Sequence, residues 1–420
     1  MGLNPVRKDT LDNGLVVLAQ EDFRAPIVAY HTWYGVGSRH ERPGRTGMAH
    51  LFEHLMFKET ANLKEGEFDR KMEAVGARTN AATWVDWTFY YEKLPSHAAK
   101  LAFELEADRM ENMTLGPDQL SSERQVVMNE RRLRVDNDPE GKMYEILYAA
   151  RYGRNHPYGW PTIGWMEDIE AITLEDCHAF YETYYAPNNA TVVVTGAMKA
   201  EDIFEMAHNH YGHLPAFELP EEKWVSPHSD SPEKVEITLS LSSERLLMGA
   251  LSPGIGDPDM PAWEILNEVL LNSESSRAHQ DLLYEKELAS GVSGWLSGFR
   301  YPGMLHLDIT MKPGVVAEKA LEILDGHIRD LAEKGPSQEE MDRALAKLEG
   351  DFHRQRLSAG GLAHALGLYA CTLGDHGLLE TVLPRLKAVS AEDVRQAAKK
   401  LQDPSRRTTL LVRQGEEGTE

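Results

Sequence analysis

Apolar positions along the chain fall into two rhythms, and the rhythms mark the elements. "TLDNGLVVLAQ" begins on Asn13-Gly14, a favoured tight-turn pair, and continues as a strand. "IVAYHTWYGVG" is a second strand, rich in β-branched and aromatic residues. In "GMAHLFEHLMFK" the spacing changes: Met48, Leu51, Phe52, Leu55 and Met56 form one apolar stripe at helical period. "FDRKMEAVG" predicts another helix, closed by Gly76. "RTNAATWVDWTFYYEKL" predicts two strands. Helices follow in "AAKLAFELEADRMENM" and in "GPDQLSSERQVVMNERRLRV", where Pro117 suits a first turn. "ATVVVTG" returns to strand.

Four prolines and little periodicity in "GHLPAFELPEEKWVSPHSDSPEKVEI" mark an extended connector. After it the order of elements repeats. "LLMGALSPGIG" matches the early strand, "PAWEILNEVLL" the HLFEH helix, and "SRAHQDLLYEKELASGVSGWLSGFR" with "GMLHLDITMKPG" the helix-strand-strand unit. The expectation is an α+β fold of two homologous domains, each an antiparallel-rich β-sheet with helices packed on it. The first domain is placed at 1–220, the connector at 221–233 and the second domain at 234–420.

Composition narrows the picture. At 420 residues the chain is too long for one ordinary core. Its 42% hydrophobic and 26% charged content is that of a soluble globular protein. A formal net charge of -23 argues against a nucleic-acid partner and against docking on anionic lipid. An acidic surface attracts Lys/Arg-rich peptides, or simply keeps the protein soluble. Cys177 and Cys371 lie in helical segments without a CxxC pair, and read as buried thiols. No signal peptide and no membrane span is evident. A cytoplasmic location is expected, or a periplasmic one if a leader has been removed.

The chemistry concentrates in "HLFEH". Residues four apart on a helix stand one above the other, so His50 and His54 can address one ion. Glu53 projects beside them. Zinc takes imidazole nitrogens in tetrahedral geometry, and a catalytic zinc keeps one position for water. A neighbouring carboxylate can take that water's proton. The repeat bears on this: the second half reads "EILNEVLL" where the first reads "AHLFEHLM", so packing does not require the histidines. A third ligand must come from elsewhere. In "SSERQVVMNERR", Glu123 and Glu130 are seven residues apart and share a helix face, with Val126 and Val127 marking the helix as packed. Glu130 could be the ligand and Glu123 its support. The two carboxylates could equally form a solvated pair with Arg124, Arg131 or Arg134; spacing does not choose.

His-x-x-Glu-His is the inverted zinc motif of the inverzincins. The surrounding "GSRHERPGRTGMAHLFEHLMFKET" resembles the pitrilysin family, in the branch that contains mitochondrial processing peptidase and its bacterial relatives. That family places a glutamate ligand roughly seventy to eighty residues after the motif, in a sequence like "ER-VV--E". "ERQVVMNE" ends on Glu130 inside that interval. "GARTNAATWVDWTFYYEKL", "HPYGWPTIGWMEDIEAITLEDCHAFYETYYAPNNATVVVTG" and "SSRAHQDLLYEKELASGVS" extend the resemblance over nearly the whole chain. It implies two homologous domains enclosing a chamber, and cleavage of peptides or unstructured segments. It implies one zinc ion per chain on His50, His54 and Glu130, with Glu53 activating water and Glu123 supporting from behind. The strand at Asn80, Ala81 and Ala82 would pair with the substrate backbone.

One segment departs from the family pattern. Many active members carry a sequence like "REKRGLAY" in the second half, whose Arg and Tyr bind substrate and steady the oxyanion. Here it reads "YEKELASG": Tyr284 stands in place of the Arg, and Ser290 or Gly291 in place of the Tyr. The resemblance therefore implies a heterodimer, in which a homologous subunit lacking HxxEH supplies the Arg and Tyr. A homodimer is the alternative arrangement. A non-catalytic peptide-binding or assembly subunit of the same fold is the alternative function. Intact motif residues in the first half favour the enzyme.

Overall fold

The structure, a computed structural model, describes residues 4–227 and 233–415. The chain opens with strands β1 (Arg7–Thr10), β2 (Val16–Glu21) and β3 (Ile27–Tyr34), then helix α1 (Met48–Leu55). A short β4 (Glu59–Thr60) and α2 (Glu67–Ala74) lead to β5 (Arg78–Thr83) and β6 (Thr88–Pro95). Helix α3 (Ala99–Asn112) runs into β7 (Met113–Thr114), which pairs with β4, and then into α4 (Pro117–Arg131). Helices α5 (Pro139–Tyr152), α6 (Met166–Ala171) and α7 (Leu174–Tyr184) precede β8 (Ala190–Gly196) and α8 (Ala200–Tyr211). The second half runs β9 (Lys234–Ser240), β10 (Arg245–Leu251), α9 (Met260–Asn267), α10 (Arg277–His279), β11 (Ala289–Leu296) and β12 (Met304–Met311). It closes with α11 (Ala317–Lys334), α12 (Gln338–Gln355), α13 (Ala359–Leu373), α14 (Val382–Ala388), α15 (Ala391–Gln402) and β13 (Arg407–Gly415). Of the connector expected over 221–233, residues 228–232 lie outside the described residues, and 221–227 carry neither helix nor strand.

The two sheets repeat one topology. The first has the order β1-β2-β8-β3-β6-β5. The second, read from its far edge, is β9-β13-β10-β12-β11. In each, one parallel pair (β2 with β8, β9 with β13) joins an otherwise antiparallel ladder. The first sheet differs by the added edge strand β1. The helices before β8 and β13 also correspond. Thr173 and Asp176 make a capping box at the start of α7, and Ser390 and Asp393 make the same box at α15.

Contacts group differently from the linear division at 220 and 234. One compact unit comprises the chain up to Arg131, Pro161–Lys223 and His353–Leu379. The other comprises Arg132–Trp160, Trp224–Phe352 and the chain from Glu380. Helix α13 thus belongs with the first sheet and α5 with the second. The physical reason lies in strands that are apolar on both faces and need cover on both. In β3, Val28, Tyr30 and Tyr34 join the core beneath the helical layer, and Thr32 bonds Glu106 of α3. Trp33 points the other way, where it meets His364 and the bare backbone of Gly367 on α13.

Helix α9 is the counterpart of α1 and buries Trp263, Ile265 and Leu266 completely. Ile265 and Val269 stand where the repeat places His50 and His54, and both are buried. The run expected as one helix changes to π-helical turns over Glu268–Asn272. No helix among the described residues is long and apolar enough to cross a membrane.

Candidate metal centre

Helix α1 is held at its start by a side chain from upstream. Glu41 accepts from the Gly47 amide at 2.9 Å and from the Ala49 amide at 2.7 Å. These are amides that the first helical turn leaves unpaired, and a carboxylate suits the positive end of the helix. Gly47 has φ of 88° and Gly164 has φ of 87°, and the two backbones lie against each other. A Cβ on Gly164 would stand 2.5 Å from the Thr46 carbonyl oxygen. The Gly164 carbonyl accepts from Arg131, the last residue of α4, at 2.7 Å. Thr46 donates to Asp168 at 2.7 Å and accepts from the Trp165 amide at 2.9 Å. The turn at residue 164 therefore ties the start of α1 to the end of α4 and sets how their faces meet.

Between those faces stand His50, His54 and Glu130, with one ligand atom of each within 4.8 Å of the others. Among the described residues this is the one group of three or more His, Cys, Asp or Glu side chains placed to hold a metal ion. Glu130 Oε2 lies 3.6 Å from His50 Nε2 and 3.5 Å from His54 Nε2. Both distances exceed a good hydrogen bond. Two ligands at about 2.0–2.2 Å from one tetrahedral zinc stand roughly 3.3–3.5 Å apart, so the spacing fits the ion better than it fits direct pairing. The imidazole rings are 4.9 Å apart and inclined at 74°, and the Nε2 atom of each lies near the carboxylate.

Glu123 lies on the other side of His54. Its Oε2 is 3.4 Å from His54 Nδ1, and its Oε1 is 2.6 Å from the Lys58 ammonium. Burial pulls the His54 imidazole down, but Glu123 and Glu130 outweigh it and lift the pKa to about 9. A divalent cation held at this point would take the place of the proton. Burial raises the Glu123 carboxyl, and its bonds to His54 and Lys58 more than reverse that. Of the arginines weighed as partners for the two carboxylates, Arg124 donates to the Ile172 carbonyl and Arg131 to that of Gly164. Val127 is fully buried, as expected of a packed helix, but Val126 is 43% exposed. The two valines are a residue apart on a helix and cannot both face the core.

Glu53 projects from α1 toward β5, against which α1 packs. Burial raises its carboxyl above the ordinary range, while the neighbouring Thr83 and His54 hold it back. Asn80, Ala81 and Ala82 lie on β5, which pairs with β6 on one side and ends the sheet on the other. The Ala81 amide is bonded to the Asn80 side chain at 2.9 Å. In the second unit, Tyr284 is 56% exposed on a π-helical turn, and the ladder shifts register between Ala289 and Gly291, at Ser290. Reading the sequence missed Glu41, Lys58, Thr83 and Gly164. A glycine-proline-rich approach to α1 was visible in "HERPGRTG", but nothing in it shows which amides Glu41 serves.

The family model described as insulinase (peptidase family M16) matches residues 16–164, which hold α1, β5 and α4. The model described as peptidase M16 inactive domain matches residues 171–348. The zinc protease PqqE of Helicobacter pylori is 31% identical over 409 residues, covering 96% of this chain and 91% of that protein. An uncharacterized zinc protease of Bacillus subtilis, YmxG, is 26% identical over 404 residues, covering 94% and 95%. The crystal structure of a protease from Helicobacter pylori superposes with a TM-score of 0.89 at 29% identity, covering 98% of this chain and all of that one. A peptidase M16 inactive domain from Pseudomonas fluorescens shares the fold, with a TM-score of 0.87 at 20% identity over 99% of this chain and 100% of that one. With the likeness running along nearly its whole length, and through the helices that bring His50, His54 and Glu130 together, the chain belongs to peptidase family M16.

Proposed function

We propose that the chain is a zinc-dependent endopeptidase that hydrolyses peptides or unstructured protein segments. The observation that carries this reading is the convergence of His50, His54 and Glu130 beside a further carboxylate, Glu53, on the same helix. In this reading His50, His54 and Glu130 hold one zinc ion. Bound there, zinc supplies Lewis acidity, polarising a carbonyl and lowering the pKa of water toward about 7. Glu53 takes the proton of the attacking water and returns it to the leaving amine. A carboxyl raised by burial suits that task, since proton transfer is most efficient when the base titrates nearer the working pH. Glu123 holds His54 through Nδ1, which leaves Nε2 for the ion.

Asn80, Ala81 and Ala82 receive the substrate backbone on the open edge of β5. Pairing of that kind reads main-chain groups first, so selectivity among side chains is loose. The Arg and Tyr absent at Tyr284 and Ser290 or Gly291 come from a homologous partner subunit.

The test is elemental analysis joined to a Glu53→Gln variant, assayed on an unstructured peptide with the partner present. The wild type holds one zinc per chain. Glu53→Gln keeps the ion and loses about 10²–10⁴-fold in rate. Cleavage that survives Glu53→Gln removes the assigned base. Metal-replete protein without zinc removes the reading at its first step.

A further inference from the structure

Glu123 reaches His54 with one oxygen, and its other oxygen is held by a residue outside the motif. The side chain of Glu123 is 7% exposed, and a carboxylate so buried needs a charged or hydrogen-bonded partner. That partner is Lys58, whose ammonium lies 2.6 Å from Oε1. Lys58 is itself placed with little freedom. Its amide bonds the Leu55 carbonyl at 3.0 Å, just past the end of α1, and its side chain is only 18% exposed. A second contact, 2.6 Å to the largely exposed Glu65, keeps the ammonium at the rim.

Given the zinc reading above, we infer that Lys58 is a positioning residue for the metal centre. It fixes the Glu123 carboxylate so that Oε2 meets His54 Nδ1 and Nε2 turns toward Glu130 and His50. With Oε1 taken by the ammonium, Glu123 has one oxygen left for the imidazole, and the imidazole one nitrogen left for the ion. Lys58 also offsets a carboxylate charge beside a ligand set that already includes Glu130. A role confined to joining the end of α1 to α4 would lower stability and leave the metal untouched.

The experiment uses the full chain with Lys58→Met, which keeps length and loses charge and donors, and Lys58→Arg. Zinc affinity is measured by competition with a chelator, and ligand geometry by the visible spectrum of the cobalt-substituted protein. Lys58→Met weakens zinc about tenfold, the low end of what losing a ligand's own outer partner costs, because it acts through Glu123, and it alters the cobalt spectrum. Lys58→Arg stays close to wild type in both. If Lys58→Met does not fold, Lys58→Gln is read in its place. Wild-type affinity with a wild-type cobalt spectrum in the charge-free variant overturns the assignment, as does Lys58→Arg binding as weakly as Lys58→Met. Neither readout depends on turnover. A wild type that holds zinc but cleaves no peptide, with or without a partner, would overturn the peptidase reading and leave these affinities standing. Unchanged affinity in a cleaving enzyme overturns only the role of Lys58.

Discussion

In the proposed mechanism Glu53 is the base, and Thr83 is the polar neighbour beside it. Its hydroxyl and its backbone lie near enough to hold the buried carboxyl's pKa down. Thr83→Val keeps the shape and removes the hydroxyl. A polar neighbour of this kind is worth about 0.5–1.5 kcal/mol, so kcat/KM falls by roughly two- to tenfold. Zinc affinity measured on the same preparation stays at the wild-type value, because Thr83 touches no proposed ligand. A parallel loss of zinc would show that Thr83 serves the fold of the centre and not its base. Spacing alone exposed His50, Glu53 and His54, because a four-residue repeat on one helix is a local fact. It left Glu130 and Glu123 undecided, because no local pattern tells which helix faces another. Thr83 and Lys58 were not read: Thr83 comes from a separate strand, and Lys58, only four residues past His54, carries no sign of which carboxylate it meets. Val126 and Val127 show the limit of composition, since equally apolar neighbours take opposite faces.

Helix α1 can present two histidines only while its start is braced, and the braces are other elements. The turn at Gly164 is one. Alanine there must adopt φ of 87° and bring its Cβ to 2.5 Å from a backbone oxygen. Gly164→Ala therefore costs at least about 2 kcal/mol and weakens zinc, although residue 164 is no ligand; thermal unfolding and chelator competition read the two effects. Asp176 in α7 is a second brace. It caps its own helix through Thr173 and bonds Arg42 and Arg45, in the loop that leads to α1. Burial raises its carboxyl, but the bonds from Thr173 and Arg45 win and hold the pKa at about 2. A folded pKa below the unfolded one gives stability that is complete above about pH 4 and fades as pH falls through about 2. Asp176→Asn thus lowers unfolding free energy by about 1–2 kcal/mol at neutral pH, and the difference closes near pH 2. Denaturant curves over that range check it; a constant gap would assign the loss to packing.

Strand β5 was legible as a strand from its sequence, but its place at the sheet edge was not, because edge position depends on which strand fails to pair with it. If the substrate adds to that edge, its amides matter alternately. N-methylation of every second amide near the scissile bond raises KM, and methylation of the intervening ones does not. Equal effects at all positions would count against strand addition.

The whole molecule is a repeat whose two halves exchange a helix. The order of elements revealed the repeat, since strands and helices leave local rhythms. The exchange of α5 and α13 left no trace there, because an apolar face shows that a helix is buried without showing which sheet buries it. The repeat also frames the remaining chemical question. Ile265 and Val269 replace the two histidines in the second unit, and among the described residues no second ligand set is found there. Its expected contribution, an Arg and a Tyr, is absent at Tyr284 and at Ser290 or Gly291, where an exposed ring and a shifted ladder stand instead. The zinc-loaded chain alone is therefore expected to bind peptide and cleave it slowly. A homologous chain lacking HxxEH but carrying the Arg and Tyr raises kcat by about 10²–10³-fold, the range seen when one oxyanion donor is gained or lost. Titrating that chain at fixed zinc enzyme gives the stoichiometry. A rate that is already high and does not respond removes the need for a partner, and places the oxyanion donor within this chain.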